Sequence, residues 1–202
     1  MHPETIDQQT KHVFEKIKKL EILKNFYLAG GTALAIECGH RKSIDLDFFS
    51  QDIFDCKKIK QALAVIGEIV IVGEAEGTLH CTIDGVKVSF LHYPYKMLFD
   101  FNVFEGIKLA DERDIAAMKL DAISSRGSKK DFIDLFILLK KYPLLELIGF
   151  FEKKFNEIQY NKLHIFKSLT FFDDAEEEPM PMMLVVVAWE DAKKNIIEKV
   201  LG

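Results

Sequence analysis

Leu28-Ala29-Gly30-Gly31-Thr32-Ala33-Leu34-Ala35, followed shortly by Arg41-Lys42-Ser43-Ile44-Asp45-Leu46-Asp47-Phe48-Phe49-Ser50, is the stretch that decides the reading of this chain. Phe26 to Ala29 is a short apolar run that stops at two glycines, the pattern of a strand entering a tight turn. Thr32 is placed to cap a helix over 33–38, which Gly39 ends. From Ser43 to Ser50 acidic and apolar residues alternate, the period of a strand with one polar face. Side chains two apart on a strand point the same way, so Asp45 and Asp47 are expected side by side. Two like charges at that spacing are costly unless one is protonated or a cation lies between them. Hard oxygen ligands suit Mg²⁺, which binds through one or two carboxylates plus substrate phosphates, with Mn²⁺ as the alternative ion. Gly30-Gly31 leaves backbone N–H groups exposed at a helix N-terminus, an anion-binding device to which Thr32 adds a hydroxyl. Together these parts make a metal-and-phosphate site suited to nucleotidyl transfer. The plainer alternative is a wet edge strand next to a simple turn.

Outward from this stretch, Thr5–Lys24 has the 3.6-residue apolar period of an amphipathic helix, and Asp55–Gly67 reads as another with Asp55 as its cap. Strand-like runs follow at Ile69–Val72, Leu79–Ile83 and Val86–His92, with Asp84-Gly85 as a two-residue hairpin turn, and Ile107–Leu109 adds a short strand. Helical patterns then take over at Asp111–Ser125, Lys129–Lys141, Leu144–Phe155, Asn161–Leu169 and Glu190–Leu201, with an acidic, proline-containing loop at Asp173–Met183. The expected class is α+β: a mixed sheet flanked by helices over residues 1–110, followed by a helical lobe over 111–202 packed against it.

The 202 residues are 49% hydrophobic and 29% charged, which excludes a disordered or low-complexity chain. No apolar run reaches a membrane-spanning length, and the polar N-terminus lacks an apolar signal core. Three scattered cysteines, Cys38, Cys56 and Cys81, suit neither a disulfide framework nor a zinc site, so a cytoplasmic protein is expected. The net charge of -5 is concentrated in Asp173, Asp174, Glu176, Glu177 and Glu178. That acidic run could bind a basic partner, the reading for an interaction protein that needs no nucleotide. Lys129 and Lys130, near Arg126, are candidate phosphate contacts. Arg41 and Lys42 either reach a phosphate or form a solvated turn. Cys38-Gly39-His40 reads as a buried thiol and a turn histidine.

The run from Leu28 through Asp45-Leu46-Asp47 resembles the AbiEii/AbiGii-type toxin family, nucleotidyltransferases of the DNA polymerase β-like superfamily found in bacterial abortive-infection and toxin–antitoxin systems. The later block Asp114-Ile-Ala-Ala-Met-Lys119-Leu-Asp-Ala-Ile, Arg126 and Lys130-Asp131-Phe-Ile-Asp134-Leu is similar to the same family. The resemblance implies transfer of a nucleoside monophosphate from a nucleoside triphosphate to RNA, such as a tRNA end, and a separate antitoxin partner. It implies that Thr32, beside the Gly30-Gly31 anion-binding turn, meets the triphosphate and that Asp45 and Asp47 are the catalytic metal ligands. Ser43 is a further candidate beside them.

Superfamily members usually supply a third carboxylate from a neighbouring strand, and the corresponding position here is Ser89. Serine is a weak ligand for Mg²⁺ and no base at neutral pH. Either Glu74, Glu76 or His92 substitutes, or the chain is a catalytically impaired nucleotide-binding module. Lys119 and Arg126 lie on one helical face and are candidate triphosphate contacts, the alternative being a solvated face. Asp131 and Asp134 fall on the next helix, where Asp131 reads as a capping or Arg126-pairing residue behind a Ser128 cap.

Overall fold

The computed structural model describes residues 1–202. Seven strands form one mixed sheet: β1 Tyr27–Leu28, β2 Leu46–Ser50, β3 Ile69–Ala75, β4 Thr78–Ile83, β5 Val86–His92, β6 Asn102–Phe104 and β7 Ile107–Leu109. Their spatial order is β3-β4-β5-β2-β1-β7-β6. The helices are α1 Gln8–Ile17, α2 Gly30–Cys38, α3 Cys56–Leu63, α4 Glu112–Ser125, α5 Lys129–Leu139, α6 Leu144–Lys154, α7 Lys162–Ser168, α8 Asp173–Glu176 and α9 Trp189–Leu201. This is the expected α+β arrangement, with the strands all before Ala110 and most of the helices after it.

The centre of the sheet positions the site. β2 pairs antiparallel with β1 and parallel with β5, and β1 runs straight into α2. On β2, Leu46 and Phe48 point into the core beside Val88 and Phe90 of β5, and the Phe48 and Phe90 rings stack at 5.5 Å. The alternate residue, Asp47, must then point to the other, wetter face. Burying these aromatic pairs fixes the register, because a slip of one residue would exchange the two faces.

The β4–β5 hairpin forms as expected: Asp84 and Gly85 both adopt positive φ, 48° and 80°, the type I′ geometry whose twist suits paired strands. Asp84 also accepts from the Glu68 N–H and pairs with Lys16 at 2.7 Å, docking α1 on the hairpin. The N-terminal helix is shorter than the Thr5–Lys24 expectation. It is capped by Asp7, which accepts from the Thr10 N–H, and stops at Ile17, after which a 3₁₀ turn occupies Glu21–Asn25. A helix carried through Lys24 would leave too little chain to reverse into β1. Strand β6 goes beyond the expected set; it forms because Glu105 and Gly106, at φ 48° and 88°, make a second tight turn back into β7.

The buried apolar residues form one continuous cluster drawn from the sheet and from α4, α5 and α6. Lys154 and Asp114, both fully buried, meet at 2.7 Å inside it, and Asp114 also accepts from the backbone N–H groups of Leu98 and Phe99. Burial draws the Lys154 ammonium below its ordinary range, partly offset by Asp114. The pair pins the segment after β5 to the helical half.

The acidic stretch expected as a loop holds the short helix α8, and two of its charges, Glu176 and Glu178, are spent internally while Asp173, Asp174 and Glu177 stay exposed. Glu178 accepts from the Lys129 N–H at 2.8 Å, and Glu176 pairs with Lys193 and accepts from Trp189 Nε1. The first turn of α5 is thus capped by Glu178. Ser128 makes no backbone cap; its hydroxyl donates instead to Asp131 Oδ2 at 2.7 Å. No helix is long and apolar enough to cross a membrane.

Candidate active site

The site gathers around the turn from β1 into α2. Gly30 has φ +69°, a left-handed conformation that any side chain would strain, and its notional Cβ would lie 3.2 Å from Asp47 Oδ2. The glycine therefore brings the N-terminus of α2 directly against the Asp47 carboxylate. Thr32 is not the helix cap. α2 begins at Gly30 behind Ala29, so Thr32 sits in the first turn, fully buried. Its hydroxyl donates to the Asp45 backbone carbonyl and lies 2.8 Å from the Ser43 hydroxyl. Thr32 and Ser43 thus lock the approach to the acidic pair.

Asp45 precedes β2 rather than lying within it, because the ladder with β5 begins at the Leu46–Val88 pair. Its carboxylate is 3.9 Å from Lys130 Nζ on α5. Asp47 is half-buried. Burial raises the Asp47 carboxyl above its ordinary range; Ser89 and the nearby lysines Lys130 and Lys119 pull it down, and Asp45 pushes it further up. A desolvated carboxylate beside a second one has the chemistry of a cation site, and the donor set consists of these two carboxylates without a third His, Cys, Asp or Glu grouped with them.

Behind the pair lies a buried ionic network. Asp134, fully buried, accepts from Arg41 through Nε at 2.7 Å and Nη2 at 2.9 Å, lies 2.8 Å from His40 Nε2, and meets Lys119 at 2.6 Å. Lys119 also bonds Asp131 at 2.8 Å, and Asp131 takes Arg126 Nε at 3.0 Å. Burial would raise both carboxyls, but Lys119 with Arg126 holds Asp131 at about 2, and Lys119 with Arg41 holds Asp134 well below the carboxylate range. Burial lowers and these two aspartates raise Lys119, with a net upward shift. Three permanent cations face two carboxylates, so the network leaves an excess positive charge close to Asp45 and Asp47, a field suited to a polyphosphate.

The network redistributes the residues expected at the site. Lys119 is enclosed, with both carboxylates as partners, while Arg126 and Lys130 keep substantial exposure. Arg41 is no solvated-turn residue: it is 4% exposed, and a Cβ on Gly31 would lie 2.4 Å from its Nη2. His40, expected in a turn, is buried against Asp134. Segment 182–184 crosses over this corner, with the Lys42 N–H donating to the Met182 carbonyl at 2.7 Å and the Leu184 N–H to the His40 carbonyl at 2.9 Å.

Of the substitutes considered for the carboxylate at Ser89, none shares its position. Glu74 pairs with Lys60 at 2.7 Å, and Glu76 lies in the β3–β4 turn. His92 is opposite Ser50, three residues beyond the Asp47–Ser89 pair, and so on the other face of the sheet. The neighbour of Ser89 is His80 of β4, whose Nδ1 is 3.1 Å from the Ser89 hydroxyl oxygen. His80 had no local signal; only the hairpin register brings it there.

Residues 14–199 match the family described as nucleotidyl transferase AbiEii toxin, type IV TA system. The chain is 40% identical over 179 residues to the uncharacterized protein aq_aa25 of Aquifex aeolicus (strain VF5), covering 86% of each. Its fold is similar to that of a nucleotidyltransferase candidate from Helicobacter pylori, with TM-score 0.59, 18% identity, and 96% and 93% of the two chains covered. It is similar also to MenT4, a nucleotidyltransferase toxin of Mycobacterium tuberculosis H37Rv, with TM-score 0.55, 16% identity, and 94% and 82% covered. The chain belongs to the AbiEii nucleotidyltransferase toxin family.

Proposed function

We propose that this protein transfers a nucleoside monophosphate from a nucleoside triphosphate to an RNA acceptor of the tRNA type, as the toxin of a toxin–antitoxin pair. The observation that carries the reading is the juxtaposition of the Gly30 turn with the Asp47 carboxylate, in front of a cationic network. Asp45 and Asp47 would hold Mg²⁺, which when bound neutralises triphosphate charge and lowers the cost of attack at phosphorus. The N-terminal N–H groups of α2 bind phosphate oxygens. Arg126 and Lys130, the exposed cations of the site, reach the triphosphate, while Arg41 and Lys119 fix the α2–α5 corner through Asp134 and add long-range positive potential.

Ser89 favours a second reading, a nucleotide-binding module with impaired transfer. Controlled expression in a bacterial host, with sequencing of tRNA 3′ ends, tests the first. Growth arrest with nucleotides added to tRNA ends, abolished by Asp47→Asn, is the expected result. Wild-type chain that leaves both growth and RNA ends unchanged, yet binds triphosphate with Mg²⁺, would establish the second.

A further inference from the structure

Strand β3 is an outer edge of the sheet, paired on one side only, with β4. The opposite edge, β6, spans just three residues, a length that offers another chain little to pair with. β3 spans seven, and its Ile69-Val70-Ile71-Val72 run holds no proline or charge to block such pairing. Val70, Ile71 and Val72 are 54%, 41% and 69% exposed. The ladder with β4 fixes which backbone groups of the edge are free. The Asp84 N–H donates to the Glu68 carbonyl, so Glu68 and Asp84 form a hydrogen-bonded pair of that antiparallel ladder. Such pairs alternate, so Val70 bonds with Thr82, while Ile69 and Ile71 turn their N–H and C=O groups away from β4. No turn, loop or cap uses those groups. Outward main-chain donors and acceptors beside exposed apolar side chains are a template for strand addition.

The sequence of this edge is complementary to itself. A second copy laid antiparallel, with Val70 facing Val70, sets Ile69 of each copy opposite Ile71 of the other. Both of those are hydrogen-bonded pairs, so every outward N–H of Ile69 and Ile71 meets a carbonyl. The facing side chains are all β-branched and apolar, favourable partners across strands, and Glu68 falls opposite Val72. Sliding the copies to face Ile71 with Ile71 would instead bring Glu68 against Glu74, a pairing of like charges.

We propose that β3 pairs with β3 of a second copy about a two-fold axis at Val70, making one continuous sheet across a dimer. The axis stands perpendicular to the sheet, so both copies present the same face on one side. Val70 shares that face with Thr82, and through the β4–β5 and β5–β2 ladders with Ser89 and Asp47. The two candidate sites therefore open on the same side of the dimer. The seam is only a few residues long, so the association is weak and concentration-dependent. It is independent of whether the chain transfers nucleotides.

Sedimentation equilibrium of the full chain, taken up to its highest soluble concentration, compares wild type with Val70→Lys. Wild type is expected to dimerise as concentration rises. Val70→Lys, which sets two ammonium groups face to face on the axis, is expected to raise the dissociation constant ~10-fold or more with an unchanged Tm. Disulfide capture reads the register without relying on that variant. Residues facing each other in a non-hydrogen-bonded pair have Cα atoms about 4.5 Å apart, within reach of a disulfide. Val70→Cys should therefore link two copies on oxidation, and Ile71→Cys, which faces Ile69, should not. Wild type supplies the baseline for the native cysteines, which are buried or half-buried. A wild type that stays monomeric overturns the proposal, including the case in which β3 amides gain exchange protection only when a different protein is added. A dimer that Val70→Lys leaves intact overturns it too, because the contact then lies elsewhere. Linking of Ile71→Cys in preference to Val70→Cys overturns the register.

Discussion

The guanidinium of Arg41 occupies the space that a side chain at residue 31 would need: a Cβ on Gly31 would lie 2.4 Å from Nη2. Arg41 cannot simply swing away, because both its Nε and that same Nη2 are bound to the buried carboxylate of Asp134. The second glycine of the turn therefore links α2 to α5. Gly31→Ala should displace Arg41 and destabilise the fold by about 2 kcal/mol or more, within the range of overpacking and of broken buried networks. That corresponds to a Tm lower by roughly 4–8 °C for a chain of this size. An unchanged melting curve would mean that Arg41 is free to relax.

Asp134 and Asp131 should set the acid limit of stability. Both carboxyls are held below their ordinary range by Lys119 and their arginines, so their contribution is complete above the unfolded-chain value and is lost as pH falls toward the folded one. For Asp131, held at about 2, the loss runs from roughly pH 5 downward and amounts to about 2–3 kcal/mol. Asp134→Asn strands Arg41 and Lys119 and should cost ~3–5 kcal/mol, the range for breaking a buried pair. Urea unfolding at a series of pH values checks both. A wild-type stability that stays flat from pH 6 to about 3 would refute the assignment.

Asp47 behaves in the opposite sense. Its carboxyl is raised by burial and by Asp45, so ionising it costs stability as pH rises through the ordinary carboxylate range. Asp47→Asn should make the metal-free chain more stable at neutral pH, while abolishing transfer. Mg²⁺ with a triphosphate should raise the Tm of wild type and not that of the variant. A variant less stable than wild type without metal would show that Asp47 is structural.

Thr32 joins α2 to the backbone of Asp45 through a buried hydroxyl. Thr32→Val leaves the Asp45 carbonyl and the Ser43 hydroxyl without that partner and should cost ~1–3 kcal/mol, the penalty for unsatisfied buried polar groups. Thr32→Ser keeps the hydroxyl and should retain most nucleotide binding. Calorimetric titration with triphosphate checks the pair of variants; equal affinity for Thr32→Val and Thr32→Ser would remove the hydroxyl from the account.

Much of the fold is written in short-range patterns. The Asp84-Gly85 turn, the left-handed Gly39 that ends α2, the Asp55 cap and the alternation along β5 each need only a few adjacent residues, and each forms. What the sequence conceals lies in contacts between distant segments. His40 and Arg41 meet Asp134 more than ninety residues away, and nothing near residue 40 marks them as buried. His80 reaches Ser89 only through hairpin register, and Glu178 replaces Ser128 as the α5 cap only because the acidic segment folds back. Asp45 shows the limit of a period-two reading, since alternation continues past the point where the paired ladder ends.

The most direct measurement is transfer of label from α-labelled nucleoside triphosphate into bulk tRNA with Mg²⁺, for wild type beside Asp45→Asn and Asp47→Asn. The account predicts label at RNA 3′ ends with wild type and none with either variant, although both variants fold. Equal labelling by wild type and Asp47→Asn would contradict it, because the chemistry would then lie away from the carboxylates that face the Gly30 turn.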